Sequence, residues 1–202
     1  SAVLPLVDVQ SFRAGDLVLE QQRMPVLPAA VFGGADGILG VDSLQDARVE
    51  VDFERDQVTI RRSSGRRAGP EYFVLPARLH HGGLLLMNGR VGAVKVKAIL
   101  DTGAERSLGN EALRAALDPR ERRPEDGVAT TVIGATPQLA EGTSYEAPMI
   151  MIGGARLTKL TVTFGDLHVF KVWDLLDEPA LLLGMDLLGT LPHFAVDSPR
   201  RE

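Results

Sequence analysis

One aspartate stands at the end of a run that becomes steadily more apolar: Val94-Lys95-Val96-Lys97-Ala98-Ile99-Leu100-Asp101, followed by Thr102, Gly103 and Ala104. The run alternates at first and then turns continuously apolar, as a strand does when it enters an interior. A carboxylate delivered there is costly unless it is used in acid–base chemistry or satisfied by hydrogen bonds. Thr102 offers a hydroxyl that donates or accepts, and Gly103 permits close backbone approach. Alone, an Asp-Thr-Gly tripeptide reads more simply as an Asx turn, so its surroundings must decide.

Other chemistries find little support. The chain has no cysteine, which excludes disulfides, thiol catalysis and cysteine zinc sites. His80 and His81 are adjacent, so on a strand they point to opposite faces, and His168 and His193 are isolated. No helical His-x-x-x-His and no acidic cluster accompany them, so no metal site is expected. Ser63-Ser64-Gly65 and Gly142-Thr143-Ser144 lack the strand–turn–helix setting of a hydrolase nucleophile and read as loops. Phosphate-binding glycine loops are absent as well.

The 202 residues suffice for one large or two small domains with a buried core. A net charge of −5 argues against nucleic-acid binding, which needs a concentrated basic surface. The one basic cluster, Arg61, Arg62, Arg66 and Arg67, lies among Ser63, Ser64, Gly65, Gly69 and Pro70 and reads as a solvated linker. No apolar run approaches the roughly 18–20 residues of a membrane-spanning helix.

Short β-like stretches separated by glycine pairs dominate, so the expected fold is mainly β. One hairpin is expected from Leu84-Leu85-Leu86-Met87 into Val94 to Leu100, turning in the region of Asn88-Gly89. A second is expected from Met149-Ile150-Met151-Ile152 through Gly153-Gly154 into Leu157 to Phe164, with Leu160, Val162 and Phe164 alternating against Thr161 and Thr163. Phe170 and Trp173 are expected in the core. The best helix runs from Glu111 to Leu117, with Asn110 as its cap and Pro119 beyond its end.

An internal correspondence adds more than any single element. Ile38-Leu39-Gly40-Val41-Asp42-Ser43-Leu44 reads like Leu182-Leu183-Gly184-Met185-Asp186-Leu187-Leu188, and each is followed by Val-Asp, at Val51-Asp52 and Val196-Asp197. The spacing shifts by one residue, which a loop absorbs. On this reading residues 1–62 match the second half of a unit whose complete copy spans 72–198, with 63–71 as linker and the first copy's opening half absent from this sequence.

Together these pieces resemble the retropepsin-like aspartic proteases, single-domain relatives of pepsin. The likeness rests on Ile99-Leu100-Asp101-Thr102-Gly103-Ala104 and, after a flap-like region, on Ala180-Leu181-Leu182-Leu183-Gly184-Met185-Asp186-Leu187-Leu188. It implies a closed β-barrel with one or two short helices, preceded by a half-repeat of the same unit. Asp101 would be catalytic, Thr102, Gly103 and Ala104 would form the active-site loop, and Leu182, Leu183 and Gly184 would support it. Val132, Ile133, Gly134 and Ala135 would belong to a flap over a peptide or protein substrate, although Pro137 and the loose spacing leave an ordinary surface hairpin open. Glu105 and Arg106 would make the adjoining subsites more polar.

By the same resemblance two aspartates, one from each of two lobes, share a proton around a water and hydrolyse a peptide bond without metal or cofactor, best under acid conditions. Only one Asp-Thr-Gly and no Asp-Ser-Gly occur. The site would then be completed by a homodimer, which this chain can form unaided, or by an upstream half-unit with its own aspartate. A non-catalytic module for peptide binding or dimerisation is the alternative from another class.

Overall fold

The computed structural model describes residues 4–28, 34–70, 72–80, 83–117, 127–133 and 139–202. The chain is mainly β. Strands β1 (Leu6–Ala14) and β2 (Leu17–Pro25) form a separate two-stranded sheet turning at Gly15, whose φ of +60° suits glycine. Strands β3 (Ala47–Asp52) and β4 (Gln57–Arg62) form a second hairpin. The chain's last strand, β15 (His193–Asp197), pairs antiparallel with β3, giving a three-stranded sheet in the order β15-β3-β4.

The larger sheet contains β5 (Arg78–His80), β6 (Leu84–Val91), β7 (Val94–Leu100), β8 (Leu108–Asn110), β9 (Val128–Ile133), β10 (Leu139–Glu146), β11 (Ile150–Ile152), β12 (Ala155–Leu157), β13 (Thr161–Gly165) and β14 (Ala180–Leu183). Its order is β12-β11-β6-β7-β14-β8-β13-β10-β9, with β5 also beside β6. Closure into a barrel requires the end strands to pair. Among the described residues β9 and β12 do not, so the expected closed barrel is replaced by an open sheet.

Three short α-helices are described, α1 (Glu111–Ala116), α2 (His168–Val172) and α3 (Met185–Leu188), besides a 3-10 turn at Val41–Leu44. The family resemblance implied one or two. The five residues of α2 are too few to display a 3.6-residue period. Asn110, 1% exposed, explains where α1 begins. Its side-chain oxygen accepts from Leu113 N at 2.8 Å and Ala180 N at 3.1 Å, while its amide donates to the carbonyls of Leu175 and Glu178, both at 2.7 Å. One side chain thus caps the helix and fixes the approach to β14. The expected Pro119 stop lies outside the described residues.

Both predicted hairpins form, the first with a shifted turn and the second with a shorter return strand. β6 continues through Asn88-Gly89 and turns at Gly92-Ala93, where Gly92 has φ +54°. Gly89 serves close approach instead: a Cβ there would lie 2.9 Å from the carbonyl oxygen of Met151 on β11. The second hairpin turns at Gly153-Gly154 as expected, but ends at Leu157. Lys159, at φ +61°, redirects the chain, and β13 pairs with β10 and β8. Leu160, Val162 and Phe164 are buried as the alternation required. Thr163 is buried too, and its hydroxyl joins those of Ser144 and Thr130 in a chain with 2.7 Å links.

β14 lies near the centre of the sheet with both faces covered. Leu181 and Leu183 pack into one cluster with Val96, Ala98, Leu113, Ile150 and Phe164; Ala180 and Leu182 pack into another with Ile99, Leu108, Leu167, Phe170 and Leu175. Double-sided burial accounts for its uninterrupted apolar text. Each fully buried leucine contributes about 1.5–3 kcal/mol. Phe170 is fully buried and Trp173 packs partly against the second cluster, consistent with their expected core positions.

In the smaller sheet Glu50 accepts from Arg48 Nε at 2.8 Å and pairs with Arg61. Burial pushes the Glu50 carboxyl up, but the two guanidinium groups outweigh burial and hold it below the usual glutamate range. A depressed carboxyl stabilises the fold above its unfolded pKa, and that contribution fades as pH falls through the folded value. Glu50→Gln should therefore cost about 1 kcal/mol in urea unfolding at neutral pH, and the gap should close below the glutamate range. Among the described residues no helix is long and apolar enough to cross a membrane.

Candidate active site

The candidate site grows from the parallel ladder between β7 and β14. Leu182 pairs with Ile99 and Leu183 with Leu100, and the ladder's next step is a hydrogen bond from Asp101 N to the Leu183 carbonyl at 3.0 Å. β8 lies on the other side of β14, with Leu182 opposite Leu108. The segment 101–107 must therefore cross the end of β14, and Gly184 is the residue it crosses. A Cβ at Gly184 would sit 2.6 Å from Arg106 C, 2.7 Å from Arg106 O and 2.9 Å from Ala104 O. All three are backbone atoms, so the loop could not yield without moving.

The first turn of α3 fastens the loop. Met185 N donates to Ala104 O at 2.8 Å and Asp186 N to Glu105 O at 3.0 Å, giving helix-start N–H groups partners outside the helix. The Asp186 carboxylate accepts from Ser107 N at 2.9 Å and from Ser107 Oγ at 2.7 Å. Ser107 Oγ in turn accepts from Gly184 N at 3.1 Å. Ser107 is fully buried and Asp186 half-buried, so the lock is partly shielded from water. Sequence reasoning did not single out Ser107 or the role of Asp186. The available signal was the Gly-x-Asp spacing shared by Gly40-Val41-Asp42 and Gly184-Met185-Asp186.

Asp101 is half-buried. Its Oδ1 accepts from Gly103 N at 2.9 Å, so the Asx turn does form. Among the described residues Oδ2 has no hydrogen-bond partner, which leaves half of the carboxyl for another group. Thr102 and Gly103 are exposed, and Ala104 packs against the cluster around Leu182. Leu182 and Leu183 are buried directly beneath the loop. Val132, near the end of β9, packs on the same cluster as Ala104, whereas Ile133 is 78% exposed. Gly134 and Ala135 lie outside the described residues; β9 and β10 flank them as paired strands with Ile133 opposite Leu139. Glu105 and Arg106 are solvent-exposed, 3.8 Å apart.

A cavity of about 820 Å³ lies on the Thr102 side of the loop. Asp101 is not in its wall. Its lining is mostly apolar and includes Leu100, Thr102, Leu183 and Met185 together with residues of the three-stranded sheet. Among the described residues no three His, Asp or Glu side chains converge in a way that could hold a metal ion.

A mainly β chain, with an Asp-Thr-Gly loop laid across a buried glycine-ended strand, has the features of an aspartyl protease fold. Residues 87–187, half of the chain, match the aspartyl protease family, and the chain belongs to it. That span includes both the loop and the glycine-ended strand. No curated protein matches the sequence.

The packing of Gly184 yields a direct test. Gly184→Ala should lower stability by about 2 kcal/mol in urea unfolding, because an extra methyl group in a filled interior forces backbone movement. Gly37→Ala is the control: nothing lies within 4 Å of its Cβ position, and the change should be near neutral.

Proposed function

We propose that the chain is an aspartic endopeptidase in which Asp101 supplies one of two catalytic carboxyls. The supporting observation is the half-satisfied Asp101 carboxyl, held by a loop whose backbone is fastened at Leu183, Met185 and Asp186. A rigid mount with one unclaimed oxygen suits a group that must meet water and a partner acid. Two carboxyls in contact cannot both ionise, so one proton is shared between them. The ionised carboxylate takes a proton from water as its oxygen attacks the peptide carbonyl, and the protonated partner gives its proton to the carbonyl oxygen. Collapse of the tetrahedral adduct breaks the C–N bond, and the amine leaves with a proton from the pair.

In this reading Thr102 braces the loop against its counterpart in the second lobe, and Gly103 and Ala104 line the cleft. Val132, Ile133, Gly134 and Ala135 belong to a flap closing over peptide or protein substrate. Residues 1–62 are a half-unit, 63–71 a linker and 72–198 the catalytic unit. The second acid comes from another lobe, either in a homodimer or in an upstream half. Casein hydrolysis should be strongest in the acid part of the range from about pH 4 to 7 and should be unaffected by EDTA. A statine-type transition-state mimic should abolish it. Absence of such hydrolysis in every oligomeric state would instead favour a peptide-binding or dimerisation module.

A further inference from the structure

The ladder between β3 and β15 has a symmetry that the sequence correspondence reveals. Matching Val51-Asp52 to Val196-Asp197 also matches Val49 to Phe194. In the ladder Val49 pairs with Val196 and Val51 with Phe194, while Arg48 pairs with Asp197 and Asp52 with His193. Exchanging the two segments therefore maps the ladder onto itself, and the Glu50–Ala195 pair lies on the axis. The same exchange relates the turn at Val41–Leu44 to α3, each preceded by glycine.

The 820 Å³ cavity straddles this axis. Its wall contains matched residues from both sides: Val41 and Met185, Leu44 and Leu188, Val51 and Val196. Leu100 and Thr102 also line it, but they come from the acid loop and its strand, for which residues 1–62 hold no equivalent. Ile38 and Leu39 tell the same story. Their counterparts Leu182 and Leu183 are 1% and 4% exposed within β14, flanked by β7 and β8. Ile38 is 63% exposed, and neither it nor Leu39 has a strand partner among the described residues.

We infer that Ile38–Leu39 and the cavity beneath Thr102 form the docking surface for a polypeptide half-lobe that carries the second acid loop, an apolar strand ending in Asp-Thr-Gly or Asp-Ser-Gly. Leu39 O would accept the N–H of that aspartate, as Leu183 O accepts from Asp101. The inference rests on Asp101 being half of a pair, and it selects between the two ways of completing that pair. A second copy does not fit this surface: its own β7 and β8 already flank its own β14, and the place across the axis from β15 is held by β3. The completing lobe is therefore assembled on residues 1–62.

The test supplies a half-lobe of known sequence, a copy of residues 72–117 joined ahead of Ser1 by a glycine–serine linker. Hydrogen exchange is followed in peptides spanning residues 36–44. Relative to the chain alone, these amides should slow by about 10-fold or more. The extended chain should sediment as a monomer and hydrolyse casein, and Ile38→Asp should remove both protection and hydrolysis. Because Ile38 is exposed, that variant should keep the urea midpoint of the unextended chain. Protection without hydrolysis would uphold the docking surface and remove the proteolytic reading. Unchanged exchange in the extended chain would overturn the inference, as would a dimer of the chain alone whose Asp101-dependent hydrolysis is indifferent to Ile38→Asp.

Discussion

Asp101→Asn should reduce kcat/KM for peptide hydrolysis by at least about 10³-fold in whichever assembly carries the complete site. Asparagine has nearly the same shape, and its oxygen can still accept from Gly103 N, the one hydrogen bond that the carboxyl makes among the described residues. The backbone bonds from Asp101 N to Leu183 O and from Ala104 N to Asp101 O involve no side chain. Stability should therefore change by no more than about 0.5 kcal/mol. The asymmetry is informative: an amide cannot take the proton of an attacking water, so chemistry is lost while the loop stays. Parallel measurement of casein hydrolysis and urea unfolding checks it. Loss of stability together with activity would make Asp101 a structural residue, and retained activity would remove it from the reaction.

Asp186→Ala should do the reverse, acting on the fold first and on activity through it. The change leaves the buried amide and hydroxyl of Ser107 without the acceptor that holds both, and it weakens the support of Gly184 N. Two hydrogen bonds from a buried residue to a half-buried charged acceptor place the cost near 3 kcal/mol. Because Ser107 ends the loop that begins at Asp101, the aspartate should also lose its fixed position, with kcat falling more than KM rises. Asp186→Asn, which keeps one acceptor, should recover about half of the stability. Urea unfolding of the three proteins decides it. A cost below about 0.5 kcal/mol for the alanine variant would show that the lock carries no load.

The sequence made legible those parts of the site where residue type is dictated by one contact. Asp101 and Gly184 are such cases: one must present a carboxyl past a buried strand, and the other must pass under a backbone that leaves no room for a Cβ. Asn110 was readable for the same reason, since a cap has few alternatives. What stayed hidden depends on the whole sheet. Asn88-Gly89 carries the strongest local turn signal, yet the strand runs through it because Gly89 is needed against Met151. Gly92 makes the turn, and only the register with β7 reveals that. Lys159 gives no hint of the positive φ with which it sends β13 away from β12. Thr163 looked solvent-facing by alternation, but β10 supplies the hydroxyl that satisfies it. Ser107 and Asp186, far apart in sequence, are ordinary residues until the loop brings them together. Among the described residues the barrel expected from family resemblance is an open sheet, because closure depends on two end strands meeting, a property written in no single segment.

The central claim is that Asp101 acts as one of two carboxyls sharing a proton. Calorimetric titration with a statine-type peptide, using a complete site at acid pH, tests it most directly, because the mimic's hydroxyl occupies the place of the attacking water between the acids. Binding to the native protein should be at least about 100-fold tighter than to Asp101→Asn and should weaken as pH rises and the shared proton is lost. Equal affinity for both proteins, with no dependence on pH, would contradict the account.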